Sequence, residues 1–319
     1  MFYGEASGLK MGKATRDAFG RALEELGKDR TDVVVVDADV GNSTRTEWFA
    51  KAFPERSFNI GIAESNLVGI AGGLAASGKT PVIASFACFL LCNAYDQIRM
   101  SVAFPELNVK LVGTHSGISI GEDGPSQMGI EDVALACSFP GMTVVVPADE
   151  PSTRAATAAM LDHRGPVYLR LGRPSVPIVY ENGVEFRIGK ANVVRDGKDV
   201  TIIANGLMVA VALDAATALE KEGVSARVVD MHTVKPIDVE AIRAAAEQTR
   251  GIVVAEEHAP FGGLGSVVAM AAAENGISTP MRFVNIGDRY AESGDPMGLL
   301  KKYGLTPEAV ADACRSVLG

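Results

Sequence analysis

Phe58-Asn59-Ile60-Gly61-Ile62-Ala63-Glu64-Ser65-Asn66-Leu67-Val68-Gly69-Ile70-Ala71-Gly72-Gly73-Leu74-Ala75 reads as a short apolar strand, a glycine-lightened turn and a helix with Gly and Ala on its close-packing face. The turn puts one carboxylate, Glu64, at a strand-to-helix junction, where unpaired backbone N–H groups and the positive end of the helix dipole converge. An acid in the first turn of a helix commonly does no more than complement that dipole. Its meaning depends on the loops that the rest of the chain brings beside it.

Outward from this stretch the same alternation repeats. Apolar strands are predicted over 33–36, 58–60, 82–86, 109–113, 144–147 and 167–171, separated by helices over 13–27, 44–53, 64–77, 90–102, 127–137 and 151–163. Between 172 and 189 the periodicity fails and prolines and charges appear, which marks a boundary. A second run follows, with strands over 200–204, 226–231, 252–255 and 282–286 and helices over 208–223, 238–248, 265–274 and 307–318. Unbroken apolar strands between helices imply α/β architecture: two three-layer α/β/α domains with mainly parallel sheets, divided as 1–177 and 178–319. In such sheets ligands bind beyond the carboxyl ends of the strands. Asp37 to Ser43, Glu64, Phe86 to Phe89, Thr114 to Gly117 and Ile120 to Met128 therefore become the candidate loops.

A chain of 319 residues with 47% hydrophobic content and 34 glycines can bury a core in each domain. A net charge of −9 with no Lys/Arg run excludes a nucleic-acid binder, so any cations that hold an anion must be locally placed. The segment from Met1 to Ser7 lacks the features of a signal peptide, and the longest apolar run, 81–92, is too short to span a bilayer. Cys88, Cys92, Cys137 and Cys314 show no zinc-site spacing and are expected to be reduced core residues of a cytoplasmic protein.

Single motifs stay ambiguous. Gly262-Gly263-Leu264-Gly265 opens a helix as a phosphate-cradling turn does, yet it lacks G-x-G-x-x-G spacing and suits a close helix–sheet contact equally well. The four histidines, His115, His163, His232 and His258, have no metal-ligand spacing; His163 reads as solvated, and His115 sits at a strand end among polar residues. Phe86 and Phe89 serve as core or as flat faces for a heteroaromatic ring. In the second domain, Glu256, Glu257 and His258 are the exception to strand ends that are otherwise poor in polar residues.

Taken together, Gly61-Ile62-Ala63-Glu64-Ser65-Asn66, Ser85-Phe86-Ala87-Cys88-Phe89, Ala94-Tyr95-Asp96-Gln97-Ile98-Arg99-Met100 and Gly121-Glu122-Asp123-Gly124-Pro125-Ser126-Gln127-Met128 resemble the pyrimidine-binding and C-terminal domains of transketolase. The likeness runs from about Lys13 to the end of the chain and includes Asp230-Met231-His232-Thr233-Val234-Lys235-Pro236. The resemblance implies transfer of a two-carbon ketol unit from a ketose phosphate to an aldose phosphate, with thiamine diphosphate as cofactor. In such enzymes the glutamate matching Glu64 hydrogen-bonds ring nitrogen N1′ of the cofactor's aminopyrimidine and assists its activation. Phe86 and Phe89 match residues that pack on the pyrimidine, and Asp39 joins the cofactor set.

The same resemblance assigns Arg16, Ser43 and Arg173 to the sugar phosphate and His115, Asp123 and Gln127 to the substrate. Gln127 stands where many bacterial relatives carry His, and Asn93 where relatives often carry Arg; a glutamine cannot donate a proton as an imidazolium does. The G-D-G motif through which transketolases hold Mg²⁺ (or Ca²⁺) and the diphosphate does not occur in the chain. The expected partner is therefore a separate N-terminal transketolase subunit carrying that site, with self-association through the Gly69 to Gly73 face and phosphorylated sugars as substrates. Neither a membrane nor a nucleic acid is an expected partner. The alternatives are a 1-deoxyxylulose-5-phosphate synthase-like or 2-oxo acid dehydrogenase β-like subunit, and a non-catalytic scaffold that kept the fold.

Overall fold

Val33-Val34-Val35-Val36 has no polar face, so its strand has to be covered on both sides. In the computed structural model, which describes residues 3–181 and 183–319, Val33–Asp37 lies between two parallel neighbours in a seven-stranded sheet. Met1 and Phe2, which open the N-terminal segment read above, and Asn182 lie outside the described residues. The order across the sheet is Thr233–Lys235, Thr143–Val145, Val167–Arg170, Lys110–Thr114, Thr80–Phe86, Val33–Asp37 and Ser57–Asn59. All pairings are parallel except that of Thr233–Lys235 with Thr143–Val145.

A second sheet of five strands runs Met281–Val284, Ile252–Ala255, Val200–Ala204, Ala226–Asp230 and Asn192–Arg195, with only the last antiparallel. This is the expected α/β class with mainly parallel sheets. Strand Thr233–Lys235 follows directly on the second sheet's Ala226–Asp230 in sequence, yet it hydrogen-bonds into the first sheet. A segment from the 178–319 part of the chain thereby forms the edge of the first sheet.

Helix Glu64–Ala76 buries Leu67, Val68 and Ala71 against Ile83, Leu90, Ile98 and Val102. A Cβ on Gly72 would lie 2.5 Å from the Ser101 carbonyl oxygen, so only hydrogen fits where the helix meets the wide helical turn Arg99–Ala103. The opposite side of the same helix, with Ser65, Asn66, Gly69 and Gly73, is open, and Ile62 before it is 81% exposed. Among the described residues no helix is long and apolar enough to cross a membrane.

Several local expectations are corrected. The segment predicted as one helix over 13–27 begins as strand Met11–Ala14, paired antiparallel with Ser175–Pro177, and turns helical only at Thr15–Leu26. The helix over 44–53 is broken by Arg45 at φ 70° into Gly41–Thr44 and Thr46–Ala52. The helix over 127–137 starts only at Asp132–Ser138, because 127–131 belong to a loop tied back to Gly117. Cys92 is exposed and so is not a core residue.

The Gly72 contact yields a stability prediction. Gly72→Ala should cost about 1–3 kcal/mol by overpacking, read as a lower urea midpoint with unchanged slope. An unaltered midpoint would mean that the helix and the 99–103 turn separate freely.

Candidate active site

Asp37, Phe86 and Thr114 end neighbouring parallel strands, and Glu64 follows the edge strand Ser57–Asn59 through a turn at Gly61, φ 77°. Positive φ at that position requires glycine, and the turn aims the first helical side chain back over the sheet end. Glu64 is 7% exposed, and Ser85 Oγ donates to its Oε1 at 3.1 Å. Among the described residues its second oxygen accepts no hydrogen bond.

Three aromatic rings follow Ser85 at the neighbouring strand ends. Phe86 and Phe89 are parallel at 5.4 Å between centroids, and the His115 ring stacks on Phe86 at 3.7 Å. Both phenylalanines are partly exposed, so they are faces as well as filling. His115 is buried at φ 57°, a left-handed conformation rare outside glycine.

Hydrogen bonds link these groups into one string. Arg16 Nη1 lies 2.9 Å from His115 Nε2 and donates to the Ser43 carbonyl oxygen at 3.0 Å. A guanidinium only donates, so Nε2 accepts and Nδ1 carries the imidazole proton. That proton goes to Thr114 Oγ1 at 2.8 Å, and Thr114 in turn donates to the Ser85 carbonyl oxygen. From Ser43 to Glu64 the site is thus continuous, through Arg16, His115, Thr114 and Ser85.

The electrostatics are those of an anion site within an acidic chain. Burial first, then Arg16, Arg173 and Arg45, push His115 down to about 3, so it is neutral at physiological pH. Burial, Arg45 and Arg173 likewise lower Arg16 against the opposing pull of Asp17 and Asp123. Arg16 Nε has no hydrogen-bond partner although it is buried, leaving a donor unused. Arg173 donates to the Ile120 carbonyl oxygen at 2.7 Å, with Asp123 Oδ1 at 3.7 Å from the same nitrogen.

The structure therefore assembles Glu64, Phe86, Phe89, His115, Arg16 and Ser43, with Arg173 and Asp123 paired nearby. Ser43 enters through its carbonyl rather than its hydroxyl. Two predicted residues stand apart from the string. Asp39 accepts from Asn59 Nδ2 at 2.7 Å and lines a cleft of about 480 Å³ with Asp37, Asn42 and Phe58. Gln127 accepts from Ser126 Oγ on the loop before helix Asp132–Ser138.

Three contributors were not singled out as site residues by sequence reasoning. Ser85 and Thr114 are small polar residues at strand ends and give no signal of their own. Arg170 does give one, as a lone charge within the apolar strand Val167–Arg170: it pairs with buried Asp132 at 2.8 Å. The glycine turn at 262–265 is already filled, because Glu256 accepts from Leu264 N at 2.6 Å and Gly265 N at 2.8 Å. A Cβ on Gly263 would lie 2.2 Å from Glu256 Oε2, so these glycines admit the protein's own carboxylate.

Against this geometry, the family model for the transketolase pyrimidine binding domain matches residues 11–179, and that for the transketolase C-terminal domain matches 189–310. The chain belongs to the transketolase family. It is 44% identical to a putative transketolase C-terminal section of Methanocaldococcus jannaschii, over 94% of each chain. It is 40% identical to one of the subunits of the apulose-4-phosphate transketolase of Phocaeicola vulgatus, over 96% of each. A solved structure described as a split gene transketolase, inactive beta4 tetramer, superposes with a TM-score of 0.88 at 47% identity, covering 96% of this chain and 98% of the other.

The depressed His115 value sets a pH prediction for this transketolase-family chain. An unfolded histidine protonates near 6.5, whereas the folded one resists protonation down to about 3. Its contribution to stability is thus complete above about pH 6.5 and is lost as pH falls toward 3. His115→Asn should lose less urea stability than the parent between pH 7 and pH 5. Equal losses, or a His115 ring signal titrating near pH 6.5 by NMR, would refute the buried neutral assignment.

Proposed function

We propose that this chain is the C-terminal subunit of a split transketolase, transferring a two-carbon ketol unit from a ketose phosphate to an aldose phosphate. The observation that carries this reading is the single string from Glu64 to Arg16, with a free carboxylate oxygen at one end and an unused buried guanidinium donor at the other. A carboxylate beside parallel phenyl faces suits an aminopyrimidine, and clustered guanidiniums suit a sugar phosphate. When bound, thiamine diphosphate supplies the nucleophilic carbon that takes up the two-carbon unit.

The chain's own groups then have defined tasks. Glu64 would share its carboxyl proton with a ring nitrogen of the pyrimidine, while Ser85 fixes the orientation of the carboxyl group. Phe86 and Phe89 exclude water and hold the ring by stacking, and Asp39 lies at the edge of the cofactor set. Arg16 and Arg173 bind the phosphate, with Ser43 orienting Arg16. The neutral His115 would meet a substrate hydroxyl by accepting its hydrogen bond at Nε2 in place of Arg16, and Asp123 and Gln127 accept or donate hydrogen bonds further along the sugar.

Mg²⁺ (or Ca²⁺) and the diphosphate fall to an N-terminal partner subunit, so the active centre forms between the two chains. The Ile62, Gly69 and Gly73 face suits close packing against a second copy. That the similar solved structure is an inactive assembly of four β chains supports a requirement for the partner.

The test is ketol transfer from xylulose 5-phosphate to ribose 5-phosphate with thiamine diphosphate and Mg²⁺, with and without an N-terminal subunit. Activity should appear only in the mixture. Glu64→Gln should lower kcat by about 10²-fold or more with the fold intact. Turnover of pyruvate instead of the ketose phosphate, or full activity of Glu64→Gln, would overturn the reading.

A further inference from the structure

The loop from Gly117 to Gly129 carries Asp123 and Gln127, and its ends are joined by the Gly117 N–H donating to the Gly129 carbonyl at 2.7 Å. First-domain residues Cys88, Arg170 and Arg173 hold the carbonyls of Ser126, Gly129 and Ile120, and the loop glycines Gly117, Gly121 and Gly124 rest on the second domain. The Glu257 carboxylate, buried in the domain junction, accepts from Ser119 N at 2.6 Å. A Cβ on Gly117 would lie 2.2–2.5 Å from that carboxylate, so the backbone crosses directly over it at φ 77°. Further along, Gly121 and Gly124 also have positive φ, and their absent Cβ atoms would meet Pro296 Cγ at 2.7 Å and Ser293 Oγ at 2.3 Å. Arg170 closes the far end, donating from Nη2 to the carbonyls of Gly129 and Glu257, both at 3.0 Å.

We infer that Glu257, with the Ser293 to Pro296 turn, is a positioning element for the substrate loop, so that the second domain sets sugar affinity without touching the sugar. The sugar role rests on the function proposed above; the positioning does not. Three glycines at the contact points leave no side chain to cushion the fit, so a displacement on the second domain passes directly to Asp123 and Gln127. Burial raises the Glu257 carboxyl above the usual carboxylate range, and the charge of Arg170 opposes that push without cancelling it.

Hydrogen–deuterium exchange of the chain and steady-state kinetics of the complex with an N-terminal subunit test the inference. Glu257→Gln removes the charge while keeping the shape, and Ser293→Leu pushes on Gly124 from an exposed position that does not endanger folding. Both should raise amide exchange in 116–129, leave the strands of both sheets protected, and raise KM for the sugar phosphate about tenfold with kcat nearly unchanged. Glu257→Asp should restore part of the affinity. Unchanged exchange in 116–129 in both variants, or loosened exchange with unaltered KM, would overturn the inference. If the parent complex turns over no sugar phosphate, the proposed function fails on its own, and exchange in the two variants still decides whether the second domain positions the loop.

Discussion

The buried ion pair between Arg170 and Asp132 holds together what the rest of the molecule needs kept in register. Arg170 Nε reaches Asp132 Oδ2 at 2.8 Å, and the Tyr168 hydroxyl donates to the same oxygen at 2.6 Å. Burial works to raise the Asp132 carboxyl, yet the guanidinium overrides it and leaves it below the usual carboxylate range. Nη2 of Arg170 donates to the carbonyls of both Gly129 and Glu257. One side chain thereby ties a sheet strand, the 117–129 loop and the second domain. Stranding either ion in this junction costs about 3–5 kcal/mol, so the three parts hold or fail together.

From that junction the division of labour follows. The seven-stranded sheet presents its carboxyl ends, and there Glu64, Phe86 and His115 share a wall. The second domain reaches in twice, with Thr233–Lys235 as an antiparallel edge strand and with Glu257 under the loop. What stays uncovered is the other side of helix Glu64–Ala76, while the two phenylalanines are half-buried.

The strand and helix alternation was legible because parallel strands are buried on both faces and read as unbroken apolar runs, as in Val33 to Val36. Glu64 was legible as a junction residue because Gly61 and the small residues after it can serve little else. The breaks were not. Arg45 at positive φ, the strand Met11–Ala14 and the non-helical 127–131 segment are imposed by partners distant in sequence, against local propensity. Cys92 was misjudged as core because the absence of a metal-site spacing does not say which side of a segment meets solvent.

The amino-acid sequence by itself determined the α/β class, the loops at which chemistry collects, and the likeness to transketolase with its set of candidate residues. Those follow from periodicity, composition and motif, which are local. Only the tertiary structure decided that Arg16 donates to His115 and so selects its tautomer, that Ser43 contributes a carbonyl, and that Asp39 and Gln127 lie off the hydrogen-bonded string. It also decided that Glu257, about 140 residues away in sequence, lies under the 117–129 loop and accepts from its Ser119 N–H. The reason is physical: the geometry of hydrogen bonds and buried charges depends on which distant segments the core brings together, and no local pattern encodes that meeting.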